Sequence, residues 1–164
     1  MSTATPELHD ALRPLAGLLG SFEGPGRGAY PSIDDFRYQE HVTFGHVGKP
    51  FLAYHQRTWQ PATSAPMHAE VGYLRAPGPD RVELVLAHPT GISEVEQGTW
   101  AEDGAGLVVE LVTTTIARTD TAKQGRSLRR RFVLDGDALR YDLWMAYADV
   151  PETHHLHADL RRQP

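Results

Sequence analysis

The sequence predicts an all-β fold: a ten-stranded antiparallel up-and-down barrel with a short N-terminal helix, in a single domain over residues 1–164. Three observations carry that expectation. Runs of aromatic, β-branched and alternating residues recur along the chain, separated by Gly, Pro and Asp turn signals at roughly the 8–12-residue spacing of all-β proteins. No helical pattern of roughly 10–15 residues stands between the runs, which argues against a parallel α/β sheet. The connections are uniformly short, which favours up-and-down order over the longer crossovers of a Greek-key sandwich. A closed barrel of this size can hold one small ligand.

The elements follow in order. In "PELHDALRPLAGLLG", Leu8, Leu12, Leu15 and Leu19 recur at steps of four, three and four, which is one face of a helix. Pro6 suits its first turn and Gly20 its stop, while Pro14 must bend or interrupt it. "GSFEGPGRGAY" is the opening strand, with Gly20, Gly24, Gly26 and Gly28 around Phe22. Glycines in a strand permit sharp coiling, barrel closure or close approach of a ligand. A phosphate-cradling loop is the weaker alternative, because no capped helix follows it. The remaining strands are "FRYQEHVTFGHV", "PFLAYHQRTWQ", "MHAEVGYLRA", "RVELVLAH", "ISEVEQGTW", "GLVVELVTTTIAR", "SLRRRFVLDG", "ALRYDLWMAYA" and "THHLHADL". Between them "PATSAP", "PGPD", "PTG", "AEDGAG" and "DGD" supply tight reversals.

Composition narrows the function. The 164 residues suffice for one sizeable core, with 40% hydrophobic and 23% charged residues. No apolar run approaches the roughly 18–20 residues of a transmembrane helix, so no membrane partner is expected. The N-terminus "MSTATPELHDALRP" has neither a basic n-region nor an apolar h-region, and a soluble cytoplasmic protein is expected. The absence of cysteine removes disulfides, thiolate metal sites and iron–sulfur clusters together. A net charge of −5 offers no general attraction to nucleic acid.

The residues that stand out are the histidines of "ETHHLHADL": His154, His155 and His157, among nine in the chain. Neutral imidazole ligates zinc, copper or iron, including haem iron. Strict alternation puts His155 and His157 on one face and His154 on the other, beside Leu156, Ala158 and Leu160. Period two therefore makes His154 the interior histidine, unless a bulge or a late strand start reverses the faces. A metal on the His155/His157 pair needs a third ligand from His41, His46, His55, His68 or His88. Solvated histidines without any ligand are the bland alternative. The arginine run "RSLRRRF" (Arg126, Arg129, Arg130 and Arg131) reads as a solvated outer face, and the threonines of "VELVTTTIAR" as ordinary strand residues.

Several of these pieces together resemble the nitrobindins. The family has a GxWxGxG element after a short helix, then a Tyr-Pro-Thr/Ser turn, then a terminal HLH or HLK. Here the element is Gly20-Ser21-Phe22-Glu23-Gly24-Pro25-Gly26, with Phe22 in the tryptophan position, and the turn is Tyr30-Pro31-Ser32. "HVGKPFLAY", "PMHAEVGYLR", "TGISEVEQG" and "HHLHADL" also match, so the resemblance spans nearly the whole chain. It implies a ten-stranded barrel holding haem b in a shallow, partly exposed pocket, with the first histidine of HLH, His155, as the single axial iron ligand. His154 and His157 are then neighbours, not co-ligands, and the strand must be bulged or start late. By the same resemblance Ser32 and Met145 match haem-contacting positions, with ordinary core packing the alternative for Met145; Phe44 and Leu52 are further candidates to line the cavity. Arg130 is the candidate for a haem propionate, since guanidinium suits carboxylate.

The activity that the resemblance implies is isomerisation of peroxynitrite to nitrate at ferric haem, with nitric oxide binding at ferrous haem. That chemistry demands no general acid or base, in keeping with the lack of any recognisable triad. A homodimer is the expected assembly. The principal rival is a lipocalin-like or fatty-acid-binding-like carrier of a small apolar ligand without iron. A mononuclear metal site on His155 and His157 is a second, and a purely structural role a third.

Overall fold

Ten antiparallel strands, each paired with its neighbours in chain order, close into a barrel where the last meets the first. The computed structural model describes residues 6–104, 106–122, 124, 127–147 and 149–164. The strands are β1 (Gly20–Tyr30), β2 (Ile33–Gly45), β3 (Leu52–Trp59), β4 (Pro66–Gly78), β5 (Arg81–His88), β6 (Ile92–Asp103), β7 (Gly106–Arg118), β8 (Ser127–Asp135), β9 (Ala138–Tyr147) and β10 (Val150–Arg162). Strand number, order and short reversals agree with the sequence expectation. Closure gives every strand two neighbours. Among the described residues, no helix is long and apolar enough to cross a membrane.

The seam between β1 and β10 explains the glycines. A Cβ on Gly24 would lie 2.2 Å from the Asp159 carbonyl oxygen, so β10 approaches too closely for any side chain there. At Gly26 and Gly28 the space is taken by the Tyr38 and Phe36 rings of β2, which lie over their cross-strand partners. Phe22, at the tryptophan position, is fully buried with the Arg162 guanidinium 4.6 Å from its ring centre.

The N-terminal helix forms at Asp10–Leu18, but as a 3-10 helix. Its buried residues are Leu12, Leu15 and Leu18, at steps of three, where the sequence expectation of four, three and four would have used Leu8 and Leu19. Pro14 lacks an N–H, and the three-residue turn stacks i and i+3 on one face. The helix plugs one end of the barrel, joining Phe22, Phe44, Leu52, Leu84 and Phe132 in the apolar core. The opposite end, where Tyr30 meets β2 and His88 meets β6, carries the site.

Candidate functional site

His155 sits in a β-bulge. His154 is opposite Trp144 and Leu156 is opposite Leu143, so β10 has one residue more than β9 at this point. Below the bulge, Leu156, Ala158 and Leu160 face inward as their alternation requires. Above it, His154 is turned outward, stacked on Trp144 with its Nε2 2.9 Å from Asp142 Oδ1. The face counting that favours His154 as the interior histidine fails here, because the bulge resets the period. His157 lies on the outer face, bridging Asp142 at 2.8 Å and Asp159 at 3.1 Å. The HxH pair thus does not converge as two ligands.

The His155 Nδ1 donates a hydrogen bond to the Ala29 carbonyl at 2.9 Å. A carbonyl only accepts, so this contact places the proton on Nδ1 and the lone pair on Nε2. Tyr30 and Phe36 brace the ring edge-on, with centroids 5.3 and 6.2 Å away. Two cavities share His155 and Phe36. An outer groove of ≈ 770 Å³ runs over Gly26, Gly28, Arg27, Arg37 and His157. An inner cavity of ≈ 250 Å³ enters the barrel past Met145, Leu143, Leu156 and Leu128 to His68, Glu70 and His88.

The remaining expected contacts divide. Met145 is buried on the inner cavity wall, and its carbonyl accepts from the Tyr30 hydroxyl at 3.5 Å. Ser32 is exposed in the turn after Tyr30, at the same end. Phe44 and Leu52 do not line either cavity. Phe44 pairs with Gly20 at the helix end of the barrel and packs against the Tyr54 ring and edge-on to Phe132. Both alternate inward, as expected, but at the wrong end.

Arg130 is the larger correction. It is neither on the outer face nor at the groove, but 0% exposed at the centre of the barrel. Its Nε donates to Glu96 Oε1 at 3.1 Å, and its Nη1 to Glu70 Oε1 and to the Tyr141 hydroxyl. A guanidinium committed to two buried carboxylates has no reach to a propionate. Arg129 and Arg131 do lie outside, on Glu152 and Glu110, while Arg126 falls outside the described residues.

Sequence reasoning missed the polar layer that this arginine organises. Burial alone would raise the Glu70 carboxyl, but the Arg130 charge and its hydrogen bonds, with His68 nearby, hold it well below the carboxylate range. Burial pushes Glu96 up to about 7 despite Arg130. Burial, then the charge of Glu70, pushes Glu40 up to about 8. Gln56 and Tyr38 stand near Glu40 and lower it in part, yet neither completes a hydrogen bond to its oxygens.

The family description of a THAP4-like, heme-binding β-barrel domain matches residues 11–162. The chain belongs to this family. It is 52% identical over 157 residues to "Peroxynitrite isomerase 2" of Mycobacterium marinum, covering 96% of this chain and 98% of that protein. It is 50% identical over 155 residues to "Peroxynitrite isomerase" of Nocardia farcinica, covering 94% and 92%. The crystal structure of Rv2717c from M. tuberculosis superposes with a TM-score of 0.92 at 47% identity, over 96% of this chain and all of that one. Family membership also accounts for the cofactor class. The local chemistry fits haem: an imidazole with its proton fixed on Nδ1, braced by aromatic rings, stands between a broad groove and an apolar-walled opening.

Proposed function

We propose that this chain is a haem b protein that isomerises peroxynitrite to nitrate, with His155 as the residue that would hold the iron. The observation that carries the reading is the bulged His155 with Nδ1 held by the Ala29 carbonyl. The names of relatives about half identical over nearly their full length support the activity. When bound, haem b supplies the iron at which peroxynitrite rearranges in the ferric state and nitric oxide binds in the ferrous state.

The chain's own residues bind and orient. The Ala29 carbonyl fixes the His155 tautomer and increases the basicity of its Nε2. Tyr30 and Phe36 hold the ring plane. Met145, Leu143 and Leu156 give the inner side of the site an apolar wall next to His155. Ser32 offers a hydroxyl at the rim. Arg27 and Arg37, cross-strand neighbours lining the groove, take the propionate role that Arg130 is too buried to fill. No residue has to move a proton, because the isomerisation neither gains nor loses one.

The test is nitrate yield and peroxynitrite decay in stopped flow. Haem-loaded wild type should accelerate decay with nitrate as product, and His155→Ala should return both to the protein-free values. Equal acceleration by His155→Ala would overturn the proposal. The apolar-carrier alternative fares worse, since Glu70, His68, His88 and Gln56 line the inner cavity. A homodimer is supported by exposed Val71, Tyr73 and Val85, adjacent on β4 and β5. Sedimentation of Tyr73→Lys as a monomer against dimeric wild type would test that, and a monomeric wild type would exclude it.

A further inference from the structure

We infer that the barrel interior holds a second metal site, a mononuclear zinc centre on His68, Glu70 and His88, separate from His155. Two of these residues lie two apart on β4 and so share the inward face, and His88 closes the adjacent strand. His68 Nε2 and His88 Nδ1 are 3.4 Å apart. Glu70 Oε2 is 3.7 Å from the first and 3.6 Å from the second. Tetrahedral zinc with bonds of about 2.0–2.1 Å separates neighbouring ligand atoms by about 3.3–3.4 Å. The three atoms therefore form one face of such a tetrahedron, opened by a few tenths of an ångström.

The surrounding hydrogen bonds aim these atoms inward. His88 Nε2 is 2.6 Å from Glu94 Oε1, and a carboxylate partner there draws the ring proton to Nε2, leaving the Nδ1 lone pair directed at His68 and Glu70. Glu94 is itself held by the Thr113 hydroxyl at 3.2 Å. This is the carboxylate–histidine–metal arrangement that orients zinc ligands elsewhere. Glu70 Oε1 takes Tyr54 Oη at 2.7 Å and the Arg130 guanidinium, whereas Arg130 Nη2 reaches Oε2 only at 3.5 Å.

Hydrogen bonding alone serves the cluster poorly. With Nδ1 of His88 and Oε2 of Glu70 both acceptors, one proton on His68 Nε2 must choose between two contacts longer than ordinary N–H···O bonds. Charge points the same way. Among the described residues, Glu70 and Glu94 are buried beside the cluster, and the one buried guanidinium, Arg130, is shared between Glu70 and Glu96. A divalent cation on Glu70 adds to that shared positive charge. Three protein ligands leave the fourth position open to the ≈ 250 Å³ cavity that His155 also lines, where water completes the shell. The cluster of Asp142, His154 and His157 does not compare, because its 2.8 and 2.9 Å contacts are hydrogen bonds on an outer face.

The proposal does not depend on haem. The full chain, haem-free and haem-loaded, is stripped with chelator, dialysed against zinc or cobalt(II), and measured by elemental analysis and visible spectroscopy. Expected is one equivalent of metal in the haem-free protein, with the intense visible bands of tetrahedral cobalt. His68→Ala and His88→Ala should each lose it, His155→Ala and His157→Ala should keep it, and Glu94→Gln should weaken it about 10–100-fold. His68 has 36% of its side chain exposed, so His68→Ala keeps the fold and decides the matter if His88→Ala does not. Retention below one equivalent, equal retention by wild type and His68→Ala, or loss with His155→Ala overturns the proposal. In those cases a proton, not zinc, occupies the cluster.

Discussion

Replacing Arg130 with methionine should cost the barrel several kcal/mol of stability, and the cost should depend on pH. Methionine keeps much of the volume and removes the positive charge that Glu70 Oε1 and Glu96 share. In the wild type Glu70 has its folded value depressed, so its contribution is present above its ordinary value of 4.5 and lost only as pH falls through the depressed one. In the variant that contribution disappears, and the buried carboxyl escapes by protonation. At pH 7, about 2.5 units above the ordinary value, protonating one carboxyl costs about 3.4 kcal/mol at about 1.4 kcal/mol per unit. That agrees with the about 3–5 kcal/mol typical of removing one partner of a buried ion pair. Near pH 5 the same protonation costs under about 1 kcal/mol. Urea unfolding of both proteins between pH 5 and 8 reads the difference. A loss below about 1 kcal/mol at pH 7, or a loss of equal size at both ends, would refute the assignment of Arg130 as the buried counter-ion.

Other substitutions probe the polar layer and the seam. Glu40 has its folded value raised from 4.5 to about 8, so its protonated form is favoured by folding and that stability is lost as pH rises through about 8. Glu40→Gln should therefore gain on wild type between pH 5 and 9, by on the order of 2–4 kcal/mol, in the urea midpoint; parallel profiles would contradict the shift. Gly26→Ala puts a methyl 2.2 Å from Tyr38 Cε2, inside a buried ring. It should destabilise by about 1–3 kcal/mol, less the few tenths that alanine returns through the unfolded chain. An unchanged melting temperature would show that Tyr38 moves freely.

The architecture was legible because period two and turn chemistry are local signals. Ten runs became ten strands, and "PGPD", "PTG" and "DGD" became reversals, Asp80, Gly91 and Gly136 adopting positive φ in them. The site was legible only in part. A bulge adds one residue without any mark in composition, so alternation chose His154 where the fold presents His155. Arg130 looked like one of a solvated run, yet Leu128, Arg130 and Phe132 share a face at period two, and that signal pointed inward. In β6 the buried face carries the carboxylates Glu94 and Glu96, with Val95 between them on the other face, which hydropathy alone does not signal. Phe44 shows a different limit. Its inward direction follows from alternation, but which end of the barrel it occupies follows from register with Gly20, a non-local fact.

The central claim is that one histidine of the three, His155, holds the iron. Its most direct test is a haem titration of the apoprotein followed by Soret absorption, for wild type and for His154→Ala, His155→Ala and His157→Ala. The account predicts a stoichiometric shifted Soret band for wild type and for the changes at 154 and 157, and its loss at 155. No Soret shift in wild type, or haem bound by His155→Ala as tightly as by wild type, would contradict it.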